Sequence, residues 1–135
     1  MSSRYLLDTN ICIYIQRRKP HEVLERFRKL KPGDASISVV TWGELLYGAE
    51  KSRHRKKVLQ LLEEFQGFIP VLPMPEKAGK TYGAMRPALE SKGTPIGNND
   101  LWIAAHAKAE GLTVVTNNER EFLRIPGLKV QNWVG

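Results

Sequence analysis

The chain has 135 residues, a single cysteine and a formal net charge of +7, enough length to bury a core in one domain, 1–135, without disulfides or a structural metal. Cys12 has no second thiol to bridge, the start MSSRYLLDTN lacks the apolar stretch of a signal peptide, and no apolar run approaches the roughly 20 residues that span a bilayer, so a protein of the reducing cytoplasm is expected. The positive charge attracts polyanions over about 8 Å at physiological salt, which points to nucleic acid or an acidic protein as a partner.

Tyr5-Leu6-Leu7 reads as a short strand feeding a helix over Thr9 to Gln16. Val23, Leu24, Phe27 and Leu30 make a second helical stripe, closed by Lys31-Pro32-Gly33-Asp34. Ala35 to Val40 is β-branched and short, and Thr41-Trp42-Gly43-Glu44 opens a helix through Leu45, Leu46 and Ala49. A further helix runs from Arg55 to Phe65, with Arg53, Arg55, Lys56 and Lys57 crowding the end where the helix dipole disfavours cations. Phe68 to Leu72 reads as a third strand. Pro75 to Ser91 forms a helix that Pro87 should kink or interrupt. After the loop from Lys92 to Gly97, Asn98 or Asn99 can cap a helix over Asp100 to Glu110, which Gly111 ends. Leu112 to Val115 is a fourth strand, Thr116-Asn117-Asn118 turns into a short helix holding Glu119, Glu121, Phe122 and Leu123, and Leu128 to Val130 makes a last strand. Strands alternating with helices imply a mostly parallel sheet of four to five strands, covered on both faces.

Four acids, Asp8, Glu44, Asp100 and Glu121, fall where strand-like runs give way to helix starts. In an open parallel sheet the carboxyl ends of the strands gather along one edge, so these residues can share a crevice. Carboxylates crowded together repel one another unless a cation intervenes, and oxygen ligands suit a hard ion such as Mg²⁺ or Mn²⁺. Capping explains each acid singly: Thr41 and Glu44 have capping-box spacing, Asp8 can cap the helix at Thr9, and Asp100 can sit in a first turn. Four acids at four junctions favour a site, and with it metal-dependent phosphodiester chemistry.

Other constellations fall away. Gly79-Lys80-Thr81 has Met74 where a P-loop needs its first glycine. Asp8 lacks the second aspartate, two residues on, of aspartyl-phosphate phosphatases, since Asn10 stands there. His21, His54 and His106 are widely spaced and form no zinc grouping with Cys12. His106 is expected to pack or to face water.

The runs Leu6-Leu7-Asp8-Thr9-Asn10, Ser38 to Gly48 around Glu44, Asn99-Asp100-Leu101-Trp102-Ile103-Ala104-Ala105-His106-Ala107 and Val114 to Phe122 together resemble PIN-domain nucleases of the VapC toxin type, across essentially the full chain. The resemblance implies a three-layer α/β/α fold, Mg²⁺ dependence with Mn²⁺ able to substitute, and endoribonuclease activity leaving a 5′-phosphate and a 3′-hydroxyl. It implies Asp8, Glu44 and Asp100 as the acids of the site, with Asp8 and Asp100 holding the principal ion. Many relatives carry an aspartate after the fourth strand where this chain has Asn117 and Asn118, so Glu121 is taken as the fourth acid. Thr9, Asn10, Thr116, Asn117 and Asn118 are expected to orient carboxylates, water or phosphate around them. The form Thr116-Asn117-Asn118-Glu119-Arg120-Glu121-Phe122, with Gly93 to Gly97 before Asp100, resembles the branch whose targets include initiator tRNA.

Arg17, Arg18 and Lys19, with Arg53, Arg55, Lys56 and Lys57, are expected to hold RNA phosphates without reading bases; a merely solvated face is the competing explanation. The resemblance also implies a VapB-type antitoxin that folds across the toxin and covers the crevice, and a homodimer. Trp42, Leu45, Leu46 and Tyr47 either line the antitoxin's groove or pack in the core. A catalytically silent PIN-like module that binds RNA or a regulatory partner is the alternative from another class.

Overall fold

In a computed structural model, which describes residues 3–135, strands Tyr5–Leu7 (β1), Ala35–Ser38 (β2), Val71–Leu72 (β3), Thr113–Val115 (β4) and Val130–Gln131 (β5) form one sheet in the order β3-β2-β1-β4-β5, every pair parallel. Met1 and Ser2 of the expected domain lie outside the described residues. The helices are Thr9–Arg17 (α1), His21–Arg28 (α2), Val39–Glu50 (α3), Arg55–Gln66 (α4), Glu76–Ser91 (α5), Asn98–Glu110 (α6) and Glu119–Phe122 (α7).

Alternation along the strands splits the core into two layers. Leu7, Ile37 and Val115 face one side, against Ile11 and Ile15 of α1, Val23 of α2, Leu45 of α3 and Leu62 and Phe65 of α4. Leu6 and Val114 face the other, against Met85 and Leu89 of α5, Leu101, Ile103 and Ala104 of α6, and Phe122 of α7. Both neighbours in the Leu6-Leu7 pair are fully buried, which is why the central strand is apolar without alternation. Each contributes about 2 kcal/mol of burial, so a polar residue on either face would open one of the two layers. The result is the three-layer α/β/α arrangement expected from the sequence.

Several boundaries shift. β2 stops at Ser38, whose hydroxyl accepts from the Val40 amide and caps α3, so that helix begins two residues before Thr41. The third and last strands shrink to Val71–Leu72 and Val130–Gln131, the stretches within hydrogen-bonding reach of β2 and β4. Pro87 sits inside α5 without ending it. Gly97, not an asparagine, is the N-cap of α6, and Gly111 closes that helix with φ 68°, the left-handed region in which glycine has no Cβ penalty.

The order of the strands sets up the site. From β1 the chain moves to β2 on one side, and later returns to place β4 on the other, so the carboxyl ends of β1 and β4 flank a crevice at the point where the winding reverses.

Candidate active site

Asp8 directly follows β1 and does two jobs with its two oxygens. Oδ1 accepts from the Ile11 amide at 3.0 Å, capping α1, and Oδ2 accepts from the Thr116 hydroxyl at 2.5 Å, just after β4. The Thr116 oxygen in turn accepts from the Asn118 amide at 2.8 Å. Capping and site membership are therefore not alternatives here, because a carboxylate has about four lone-pair directions and these bonds do not use them all. Burial pushes the Asp8 carboxyl above its ordinary range, the Thr116 and Ile11 bonds pull it back, and the charge of Glu44 raises it further.

Glu44 does not close a capping box. It lies in the second turn of α3 and reaches across to α1, where the Thr9 hydroxyl donates to Oε1 at 2.5 Å; the Asn99 amide of α6 approaches Oε2 at 3.5 Å. Asp100 is the third residue of α6 and half-buried. Glu121, from α7, accepts from the Gly97 amide at 3.1 Å and from the Asn118 carboxamide at 2.7 Å, which holds it within hydrogen-bonding reach of Asp100. Desolvation, then the charges of Glu121 and Asp8, a hydrogen bond with Glu121 and the charge of Glu44, push Asp100 up to about 7. Acids from four segments thus share one electrostatic field, in which Asp100 is the carboxyl pushed up furthest.

Carboxylates crowded in this way mark where a cation fits. Asp8 and Asp100, with the charges of Glu44 and Glu121 beside them, form an oxygen-only donor set suited to a hard divalent ion. Among the described residues no group of three or more His, Cys, Asp or Glu side chains is arranged to hold a metal ion alone. An ion that keeps several waters needs only one or two carboxylates, so the donor set fits Mg²⁺-like binding better than a closed cage.

The surrounding side chains divide. Thr9 donates to Glu44, Thr116 to Asp8 and Asn118 to Glu121. The Asn10 and Asn117 side chains bond none of the four acids: Asn117 donates to the Tyr14 hydroxyl at 3.4 Å and accepts from Asn132 at 3.3 Å, while the exposed Asn10 carboxamide makes no hydrogen bond to protein among the described residues. Gly97 and Asn99 bond the acids Glu121 and Glu44, contacts that no local signal marks because each partner is at least 24 residues away.

Arg17 lines a groove of about 400 Å³ that begins at Thr9 and Glu44 and runs over Ile13, Leu45, Val58 and Leu61. Arg18 and Lys19 are exposed beside it in sequence, as are Arg53, Lys56 and Lys57 in the other basic segment. Arg55 is tied to Glu50 by bonds of 2.6 and 3.1 Å, which accounts for one cation at the unfavourable start of α4. Of the four residues between groove and core, Leu45 is buried at the groove floor, Trp42 and Leu46 line a separate cavity with Lys56 and Leu59, and Tyr47 is 65% exposed. His106 packs rather than facing water, and neither ring nitrogen has a partner among the described residues. Among the described residues no helix is long and apolar enough to cross a membrane.

Residues 5–128 match the PIN domain. The chain is 42% identical to ribonuclease VapC2 of Haemophilus influenzae over 97% of its length and 98% of that protein. It is 45% identical to the tRNA(fMet)-specific endonuclease VapC of Shigella flexneri, covering 96% of this chain and 98% of that one. The DNA-bound VapBC crystal structure from Salmonella typhimurium contains a chain that superposes with a TM-score of 0.90 at 43% identity, covering 98% and 99% of the two chains.

Proposed function

This chain belongs to the PIN-domain family, among its VapC ribonucleases, and from that premise we propose that it cleaves RNA phosphodiester bonds at the crevice between β1 and β4, using Asp8, Glu44, Asp100 and Glu121. The observation that carries the assignment to these residues is the coupling of the four carboxylates, which lifts Asp100 to about 7 and which a divalent cation would relieve. Asp8 and Asp100 would hold the ion, Mg²⁺ with Mn²⁺ able to substitute. When bound, the ion supplies Lewis acidity to the scissile phosphate and to the attacking water. Glu44, fixed by Thr9, and Glu121, fixed by Gly97 and Asn118, orient that water for in-line attack. Thr116 keeps Asp8 aimed at the crevice.

Transfer RNA is the substrate class, with initiator tRNA its expected member; the Shigella relative named for that specificity and 45% identity over nearly the whole chain support this reading. Cleaving it would halt translation in the cytoplasm. A VapB-type antitoxin restrains the enzyme, as supported by the VapBC complex. Its segment lies along the groove from Glu44 over Leu45, Val58 and Leu61, with Arg17 at the rim. Two copies of the single domain 1–135 pair and together present the basic surface to a folded RNA.

The test is incubation of the protein, freed of antitoxin, with total tRNA in the presence and absence of Mg²⁺ or Mn²⁺, beside an identically prepared Asp100→Asn variant. Discrete metal-dependent fragments are expected from wild type only. Cleavage by Asp100→Asn that still requires the metal would remove Asp100 from the machinery. Binding without cleavage by both would turn the chain into a silent RNA-binding module.

A further inference from the structure

The chain contains six asparagines, and all six stand on the catalytic edge. Asn10 is in the first turn of α1 behind β1, Asn98 and Asn99 open α6, Asn117 and Asn118 follow β4, and Asn132 follows β5. Asparagine is favoured at helix starts as a cap, which would account for the placement if the side chains capped. None does so. α1 is capped by Asp8, α6 begins from Gly97, and α7 begins from Asn118 with no side-chain capping bond.

Some of these amides are already engaged. Asn118 holds Glu121, Asn117 and Asn132 bond each other, and Asn99 leans toward Glu44. The other two leave both Nδ2 protons unused among the described residues. Asn10 is exposed and its carboxamide bonds nothing in the protein among the described residues. Asn98, also exposed, uses only Oδ1, which accepts from the Tyr82 hydroxyl, and both Nδ2 protons remain available. The two stand in matching positions, Asn10 two residues after Asp8 and Asn98 two before Asp100.

Taking the crevice as RNA-cleaving, we propose that Asn10 and Asn98 read unpaired nucleobases on either side of the scissile phosphodiester and so determine which RNA sequences are cut. An edge built from four carboxylates repels phosphate, and more carboxylates there would worsen it. A carboxamide donates and accepts without adding charge, and its fork matches the hydrogen-bonding edge of a base. Bases offer that edge where they are unpaired, so the substrate is RNA with its cut in a loop or bulge rather than in a duplex. The basic residues hold the backbone without reading sequence, which leaves the reading to these amides.

The experiment uses RNA hairpins with randomised loops. Cleaved products of wild type, Asn10→Ala and Asn98→Ala are sequenced. In parallel, loops retained by the uncleaving Asp100→Asn protein are compared with those retained by Asp100→Asn combined with each alanine change. Wild type is expected to prefer one base at a position flanking the cut by about tenfold, and each alanine variant to flatten the preference at one position, on opposite sides of the cut. Uniformly slower cleavage with the preference intact overturns the proposal and makes these residues positioning groups. An unchanged RNA preference with weakened inhibition by the antitoxin also overturns it, assigning the amides to the protein partner. If wild type cuts nothing, the nuclease reading fails, yet the retained loops still decide: a base preference that disappears with Asn10→Ala or Asn98→Ala supports base reading, and no preference refutes it.

Discussion

Glu121→Gln removes one charge from the crevice while keeping an acceptor for the Gly97 amide. Asp100 titrates near 3.8 when unfolded and at about 7 when folded. Between those values the folded state keeps a proton that the unfolded state has released, so the Asp100 contribution to the stability of the metal-free protein is fully present below about pH 4 and is lost as pH rises toward 7. The whole gap would correspond to about 4 kcal/mol at about 1.4 kcal/mol per pKa unit. Asp100 is only half-buried, and screening reduces the penalty to about 2 kcal/mol. Desolvation, its largest cause, survives the substitution, so Glu121→Gln should recover about 1 kcal/mol above pH 7, or about 3 °C in Tm. Urea or thermal unfolding in chelator from pH 4.5 to 8 measures this, with the two proteins converging at the acid end. Saturating Mg²⁺ should reverse the ranking, since an ion at 100 times its Kd stabilises the folded state by about 2.7 kcal/mol and Glu121→Gln weakens that binding. Parallel pH profiles for the two proteins, or a variant less stable than wild type at pH 8 in chelator, would refute the argument that Glu121 presses on Asp100.

Thr116→Val strips a buried hydroxyl from Asp8 and from the Asn118 amide, and should cost about 2 kcal/mol by urea unfolding together with most of the cleavage; unchanged stability would show that water replaces the hydroxyl. His106 is buried without a partner among the described residues and desolvation holds it below its ordinary 6.5, so the unfolded state takes a proton first as pH falls and the His106 contribution to stability is lost below about pH 6.5. His106→Leu should be at least as stable as wild type at pH 7 and should flatten that acid limb in thermal unfolding; a loss above about 1 kcal/mol at pH 7 would reveal a partner for the ring. Neutralising Arg17, Arg18 and Lys19 should lower the slope of log affinity against log salt by about 0.7 for each phosphate that is no longer neutralised, measured on Asp100→Asn protein with single-stranded RNA. Arg55→Gln should leave that slope alone, because Glu50 already holds the Arg55 charge; an equal fall in slope would show that RNA displaces Glu50.

The strand and helix sequence was readable because burial imposes its period on the chain: Leu6-Leu7 and Val114-Val115 look apolar on both faces because the sheet is covered on both. Asp8 and Glu121 could be picked out just after β1 and β4, where a parallel sheet gathers its strand ends, whereas Asp100 follows a helix-to-helix loop and Glu44 lies in the second turn of α3, so that the fold and not a junction brings those two in. Element ends were less readable. Ser38 rather than Thr41 caps α3, and Gly97 rather than an asparagine starts α6, because several residues at each junction can serve and packing selects among them.

Which acid stands fourth was open in the sequence, and the fold brings Glu121 to Asp100 through Gly97 and Asn118. Glu44 matched a local capping box, yet its partner is Thr9, 35 residues away. Asn10 and Asn117 carried the same motif credentials as Asn118, but only Asn118 turns its carboxamide to a carboxylate of the crevice. The sequence by itself determined which residues have the chemistry for this crevice and on which edge they would gather, because residue type and hydrophobic period are local properties. The tertiary structure alone decided who touches whom, since hydrogen bonds and shared charge depend on distances of a few ångströms between segments up to 108 residues apart.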